Sequence, residues 1–117
     1  MVITIEQRLR ELLGESHKRL LPLLADEVLM DFRLVHAYVQ SPTPSLFAKK
    51  DQGLQQIVER LGERGVRVPV GELLRLRDDY CWPRLANGRW RELEQELERL
   101  ATHKPSRLRR FHLPKAS

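Results

Sequence analysis

The chain has one cysteine, Cys81, in 117 residues. One thiol excludes an internal disulfide and cannot build a thiolate metal site. Long apolar runs are missing too. The longest useful stretch, Leu20–Ala25, is interrupted by Pro22, and a membrane span needs about 20 apolar residues. Met1–Glu6 lacks a basic patch leading into an apolar segment, so no secretory signal is expected. These absences point to the cytoplasm, with no membrane partner.

Catalytic and metal-binding patterns are equally sparse. The four histidines stand at 17, 36, 103 and 112, and no pair has the spacing of a helical zinc site. His36 reads as a helix-face residue and Cys81 as a small packed one, with no base nearby to activate its thiol. The adjacent acids Asp78 and Asp79 point about a hundred degrees apart on a helix, so they read as a solvated helix end rather than a metal pair. Gly62 and Gly65 lack the Lys-Ser or Lys-Thr of a phosphate loop. The expectation is a non-enzyme without cofactor or metal.

Acidic residues are absent from the last fifteen positions. His103–Ser117 holds Lys104, Arg107, Arg109, Arg110 and Lys115, while residues 1–102 hold 16 basic and 16 acidic side chains. The net charge of +5 is therefore the charge of the tail. Two parts are expected, a neutral helical domain over 1–102 and a flexible basic C-terminal arm over 103–117.

Apolar periodicity predicts an all-α fold, a compact bundle of about five helices. Thr4 and Gln7 have capping-box spacing before Ile5, Leu9 and Leu12, and Gly14 ends that helix. Ser16 is placed to cap a second helix, which Pro22 should break or kink before a long helix runs to about Gln40. Ser41-Pro42-Thr43-Pro44-Ser45 breaks the chain. Ser45 then caps a helix to about Arg64, with Leu46, Phe47, Leu54, Ile57, Val58 and Leu61 as its buried set, and Gly53 weakening it midway. Val66–Val68 reads as extended, and Pro69 suits the first turn of a helix held by Leu73, Leu74 and Leu76. Trp82-Pro83 and Asn87-Gly88 bracket a helix–helix connection. The last helix carries Trp90, Leu93, Leu97 and Leu100 on one stripe. The core is expected at Phe32, Val35, Leu54, Ile57, Leu61, Leu73, Trp90, Leu93 and Leu97.

Two features bear on partners. Val28, Phe32, Val35 and Val39 form one stripe, while Met30, Leu34, Ala37 and Tyr38 lie on another side. A helix apolar on two sides is either central in its bundle or has one face against a partner. Met30, Leu34 and Tyr38 are the candidate interface of a helical interaction module: an adaptor, an inhibitor or a homodimer.

The second feature is Leu54–Leu61, then Gly62–Val68, then Pro69–Tyr80. Helix, glycine-marked turn, helix resembles the helix-turn-helix of small DNA-binding regulators. The resemblance covers about a quarter of the chain and implies that the first helix supports while the second meets the major groove. It implies phosphate or base contacts at Arg67, Arg75 and Arg77, with Arg60 and Arg64 on or near the same side. The tail basics Lys104, Arg107, Arg109, Arg110 and Lys115 would neutralise further phosphates, with Phe111 available to stack on a base. The second helix departs from the family at Val70-Gly71-Glu72, where base readers carry polar side chains. The sequence thus leaves two readings open: a nucleic-acid-binding regulator or nucleoprotein subunit, and a protein-interaction module.

Overall fold

A computed structural model describes residues 3–101, excepting the side chains of Phe47 and Lys50. The tail calls at 103–117 and the buried place expected for Phe47 lie outside what it describes. The described residues fold entirely as helices and their connections, as the periodicity predicts.

Helix α1 spans Ile5–Leu13, and its capping box forms as expected. Thr4 Oγ1 accepts from the Gln7 backbone at 3.2 Å, and Gln7 Oε1 accepts from the Thr4 backbone at 3.1 Å. Gly14 ends the helix at φ +77°. Ser16 caps nothing; it lies in a 3-10 turn, Glu15–Leu20. Helix α2, Leu21–Gln40, starts only after that turn. Pro22 therefore sits in its first turn, where no intrahelical donor is needed, and neither breaks nor kinks it.

Helix α3 spans Pro44–Glu63, and its cap is Thr43 rather than Ser45. The reason is local. Pro44 supplies a helical φ and holds the residue before it extended. Thr43 is accordingly at φ −139°, ψ 152°, and its hydroxyl accepts from the Leu46 backbone at 3.2 Å.

Helix α4 is Val70–Leu76, with Pro69 as its extended N-cap residue rather than part of its first turn. A π-helical turn, Arg77–Cys81, follows, and then helix α5, Trp82–Ala86. The three run on as one helical rod, so Trp82-Pro83 does not open a connection. Pro83 has no N–H to donate back along the helix. The backbone widens just before it, with the Trp82 N–H reaching the Arg77 carbonyl. Asn87 and Gly88 (φ +71°) end the rod, and helix α6 spans Trp90–Ala101.

Helix α2 is the central element, packed between α6 and α3. Leu24, Val28, Phe32 and Val35 on α2 are buried with Leu54, Ile57 and Leu61 on α3 and Leu93 and Leu97 on α6. Burial of such side chains contributes about 1.5–3 kcal/mol each. Leu73 and Leu76 are buried as expected. Leu74 and Val39 are exposed, at 42% and 43%, and Trp90 is half-buried. The Trp90 ring stacks on His36 with centroids 4.8 Å apart, joining α6 to α2.

Candidate nucleic-acid interface and apolar docking face

The α3–α4 connection is a tight, fully specified turn. Val66 N–H donates to the Leu61 carbonyl at 2.9 Å, and Gly65 N–H to the Gly62 carbonyl at 3.0 Å. Gly65 adopts φ +83°. This is a Schellman C-cap, and Val66 and Leu61, the positions whose apolar side chains normally accompany it, are both buried in the core. The chain then runs through buried Val68 into α4.

The expected phosphate-contacting arginines of the helical domain fall into two groups. Arg64 caps α3, Arg67 lies in the connection, and Arg75 is on α4; all three are exposed. None of the three forms an ion pair with a described residue. Arg19 and Arg91 are likewise exposed without an ion pair to a described residue, whereas acids engage several others. Arg8 bonds Glu72 at 3.0 Å, Arg10 bonds Glu6 at 2.8 Å and Arg89 bonds Glu92 at 2.7 Å. Arg33 spans Glu94 and Glu98 at 2.9 and 2.6 Å, and Arg60 is held by Glu27.

Arg77 does not join the exposed group. Its side chain is 3% exposed, and its guanidinium binds Asp31 through Nη2–Oδ1 at 2.7 Å and Nε–Oδ2 at 3.0 Å. Asp51 lies 3.6 Å from Nη1. As placed, Arg77 is not available to a phosphate, contrary to the role the resemblance implied. The sequence reading missed Asp31. The signal was present: Asp31 falls on the same helical stripe as Val28, Phe32 and Val35, and an acid on a buried stripe needs a buried partner.

Within α4, the buried Leu73 and Leu76 define an inward side, and Gly71, Leu74 and Arg75 point away from it. That outward side has one cation and no polar base reader. One turn later Asp78 and Asp79 are exposed on the π turn. They bound any anion-binding surface at that end. Glu72, the one acid of α4, is occupied by Arg8. Arg67 stands beside a shallow groove lined by Val58, Gly62, Gly65, Val66 and Val68.

A second surface lies on α2. Met30 is 52% exposed, Leu34 and Tyr38 are half-buried, and Val39 is exposed. Met30 and Leu34 line a groove between α2 and α3 together with Asp26, Glu27, Asp31, Gln56 and Arg60. Tyr38 lines a shallower one with Pro42, Thr43 and Pro44. The three candidate interface residues therefore stand one turn apart along one edge of α2.

Cys81 is fully buried, and burial pushes its thiol up to about 12, with Asp31 adding to the rise and Arg77 opposing it. At neutral pH it is a protonated, sequestered thiol, which is the opposite of a nucleophile. Among the described residues no group of three or more His, Cys, Asp or Glu could hold a metal ion, and no helix is long and apolar enough to cross a membrane.

No family model matches the chain, and neither curated proteins nor solved structures include a significant match to it.

Proposed function

We propose that the protein is a small non-enzymatic nucleic-acid-binding module that grips the phosphate backbone. One observation carries this reading: Arg64, Arg67 and Arg75, gathered on the connected pair α3 and α4, are exposed and without acidic partners among the described residues; Arg19 and Arg91 are exposed and unpaired elsewhere, whereas Arg8, Arg10, Arg33, Arg60, Arg77, Arg84 and Arg89 are each engaged by a carboxylate. A guanidinium left free in this way meets a phosphate without first giving up a salt bridge.

The placement of the three arginines favours backbone contact over base reading. Two flank a rigid turn, and the outward side of α4 offers Gly71, Leu74 and Arg75 rather than donors and acceptors for base edges. The helix-turn-helix resemblance supports the reading through the connected pair α3 and α4. Lys104, Arg107, Arg109, Arg110 and Lys115 add to it from sequence alone. Arg77 is left out because Asp31 holds it. Anisotropy of a labelled duplex and a labelled single strand, titrated between about 50 and 200 mM salt, tests the proposal: phosphate neutralisation requires a steep log–log loss of affinity. Weak binding with no salt slope rules it out.

The exposure of Met30 favours a second reading, a protein-interaction module working through Met30, Leu34 and Tyr38 on α2. Pairing of two copies is its simplest form, and light scattering of the wild type and Met30→Glu decides that form. A dimer that the substitution dissociates supports it, and a monomer at all concentrations removes it.

A further inference from the structure

Residues 66–69, between the Schellman cap of α3 and the start of α4, alternate in burial. Val66 and Val68 are buried, and Arg67 and Pro69 are exposed. A two-residue alternation is the pattern of an extended strand. Pro69 is itself extended, at φ −65° and ψ 144°, and it holds Val68 away from the helical region. Among the described residues no strand pairs with this segment. The Val66 N–H is taken by the Leu61 carbonyl. The N–H and C=O groups of Arg67 and Val68 make no hydrogen bond with a described residue. Unpaired backbone groups in an extended segment are a template on which another chain can add.

Alongside runs the groove lined by Val58, Gly62, Gly65, Val66, Arg67 and Val68, of about 250 Å3. Its apolar walls are valines. It is open at Gly62 and Gly65, where an added Cβ would meet nothing within 4 Å. It has room for one large apolar side chain. The charges stand at its rim. Arg64 and Arg67 are exposed and have no acidic partner among the described residues. Glu59 and Glu63 are exposed as well, about a hundred degrees round α3 from Val58 and Gly62. They repel an acid laid over α3, so an acid is favoured on the Arg67 side alone.

We infer that residues 66–69 receive a short extended peptide of a protein partner, which pairs with the Arg67 backbone and carries the pattern apolar–acid–apolar. Paired strands hold opposite side chains on the same face, and successive side chains on opposite faces. Arg67 faces outward, so the peptide residue opposite it stands beside the guanidinium, where an Asp or Glu forms a cross-strand charge pair. The two neighbours of that acid face inward with Val66 and Val68, and one of them enters the groove. Main-chain bonds give such a contact its affinity, and the groove gives it specificity. A phosphate backbone only accepts hydrogen bonds and leaves the Arg67 and Val68 carbonyls unmatched, whereas a peptide both donates and accepts. This inference goes beyond the proposed function and does not rest on nucleic-acid binding. Arg67 is common to the two, so peptide and phosphate compete for it.

Two capped peptides, Thr-Leu-Glu-Leu-Thr and Thr-Leu-Lys-Leu-Thr, are titrated into the isotope-labelled full-length protein while its amide resonances are followed. The account requires saturable shifts at the Arg67 and Val68 amides with the glutamate peptide, and roughly fivefold weaker binding of the lysine peptide. Arg67→Glu should invert that order. Gly62→Leu fills the groove from a helical position with open space around it, and should abolish the shifts while the thermal midpoint holds. It keeps Arg64, Arg67 and Arg75, so the salt slope of nucleic-acid binding is unchanged in it whether or not the peptide binds, and the two readings fail separately. The inference is overturned by a wild type without saturable shifts, by glutamate-peptide binding that survives Gly62→Leu, or by an unchanged order in Arg67→Glu. Shifts at these amides that come from raised protein concentration alone, or from nucleic acid and neither peptide, overturn it as well. They assign the edge to a second copy or to the polyanion.

Discussion

The Arg77 guanidinium closes on the Asp31 carboxylate through two hydrogen bonds of 2.7 and 3.0 Å, with both side chains at 3% exposure or less. The pair ties the π turn to the middle of α2. Arg77→Met alone leaves a buried carboxylate without its cation, which costs about 3–5 kcal/mol. Asp31→Leu/Arg77→Met removes both charges and recovers most of that loss. Urea unfolding of the two variants checks the order. A stable Arg77→Met protein with weakened nucleic-acid binding would return Arg77 to the contact set.

Alkaline pH destabilises the fold through Cys81 and Tyr80. Both groups are acids whose folded pKa is raised, chiefly by burial. The unfolded chain therefore loses these protons first and binds fewer of them, so stability falls as pH rises. For Cys81 the window runs from its ordinary value of 9.0 up to about 12, with a slope of about 1 kcal/mol per pH unit. Tyr80 acts in the same direction above 10.0, and its ionisation also removes the 2.7 Å bond that its hydroxyl donates to the Ile3 carbonyl. Denaturant midpoints between pH 8 and 11 should decline, and more shallowly in Cys81→Ala. A thiol reagent at pH 8 should label Cys81 only at the rate of unfolding.

Two glycines should respond with opposite signs. Gly65 is at φ +83° in the Schellman turn, so Gly65→Ala strains the backbone and destabilises by about 1 kcal/mol. Gly71 lies inside α4 without a positive φ, and a methyl group there meets no atom within 4 Å. Gly71→Ala stabilises by about 0.4–1 kcal/mol. Thermal unfolding of both variants checks the signs.

Thr4→Ala removes the hydroxyl that accepts the Gln7 N–H. The expected cost is about 1 kcal/mol, visible as earlier exchange of α1 amides with solvent.

The bundle was legible in the sequence because it follows from periodicity. The stripe Leu93, Leu97 and Leu100 and the stripe Val28, Phe32 and Val35 both point inward as read, and the Thr4–Gln7 box is a local signal that tertiary packing left alone. The proline positions were harder. Pro22, Pro44 and Pro83 each stand in the first turn of a helical segment, where a missing N–H costs nothing, whereas Pro22 and Pro83 read as interruptions. The candidate interface was legible only in part. Charge count treats all arginines alike, and the difference between Arg75 and Arg77 is decided by a contact 46 residues away in the sequence. Only the apolar neighbours of Asp31 hinted at it.

The central claim is that Arg64, Arg67 and Arg75 neutralise phosphates. It is tested most directly by the salt slope of nucleic-acid binding in Arg64→Ala/Arg67→Ala/Arg75→Ala against the wild type. Each phosphate contact contributes about 0.9 to the slope on duplex DNA, so the slope should fall by between two and three while the unfolding midpoint stays near that of the wild type. An unchanged slope in a folded triple variant would contradict the account.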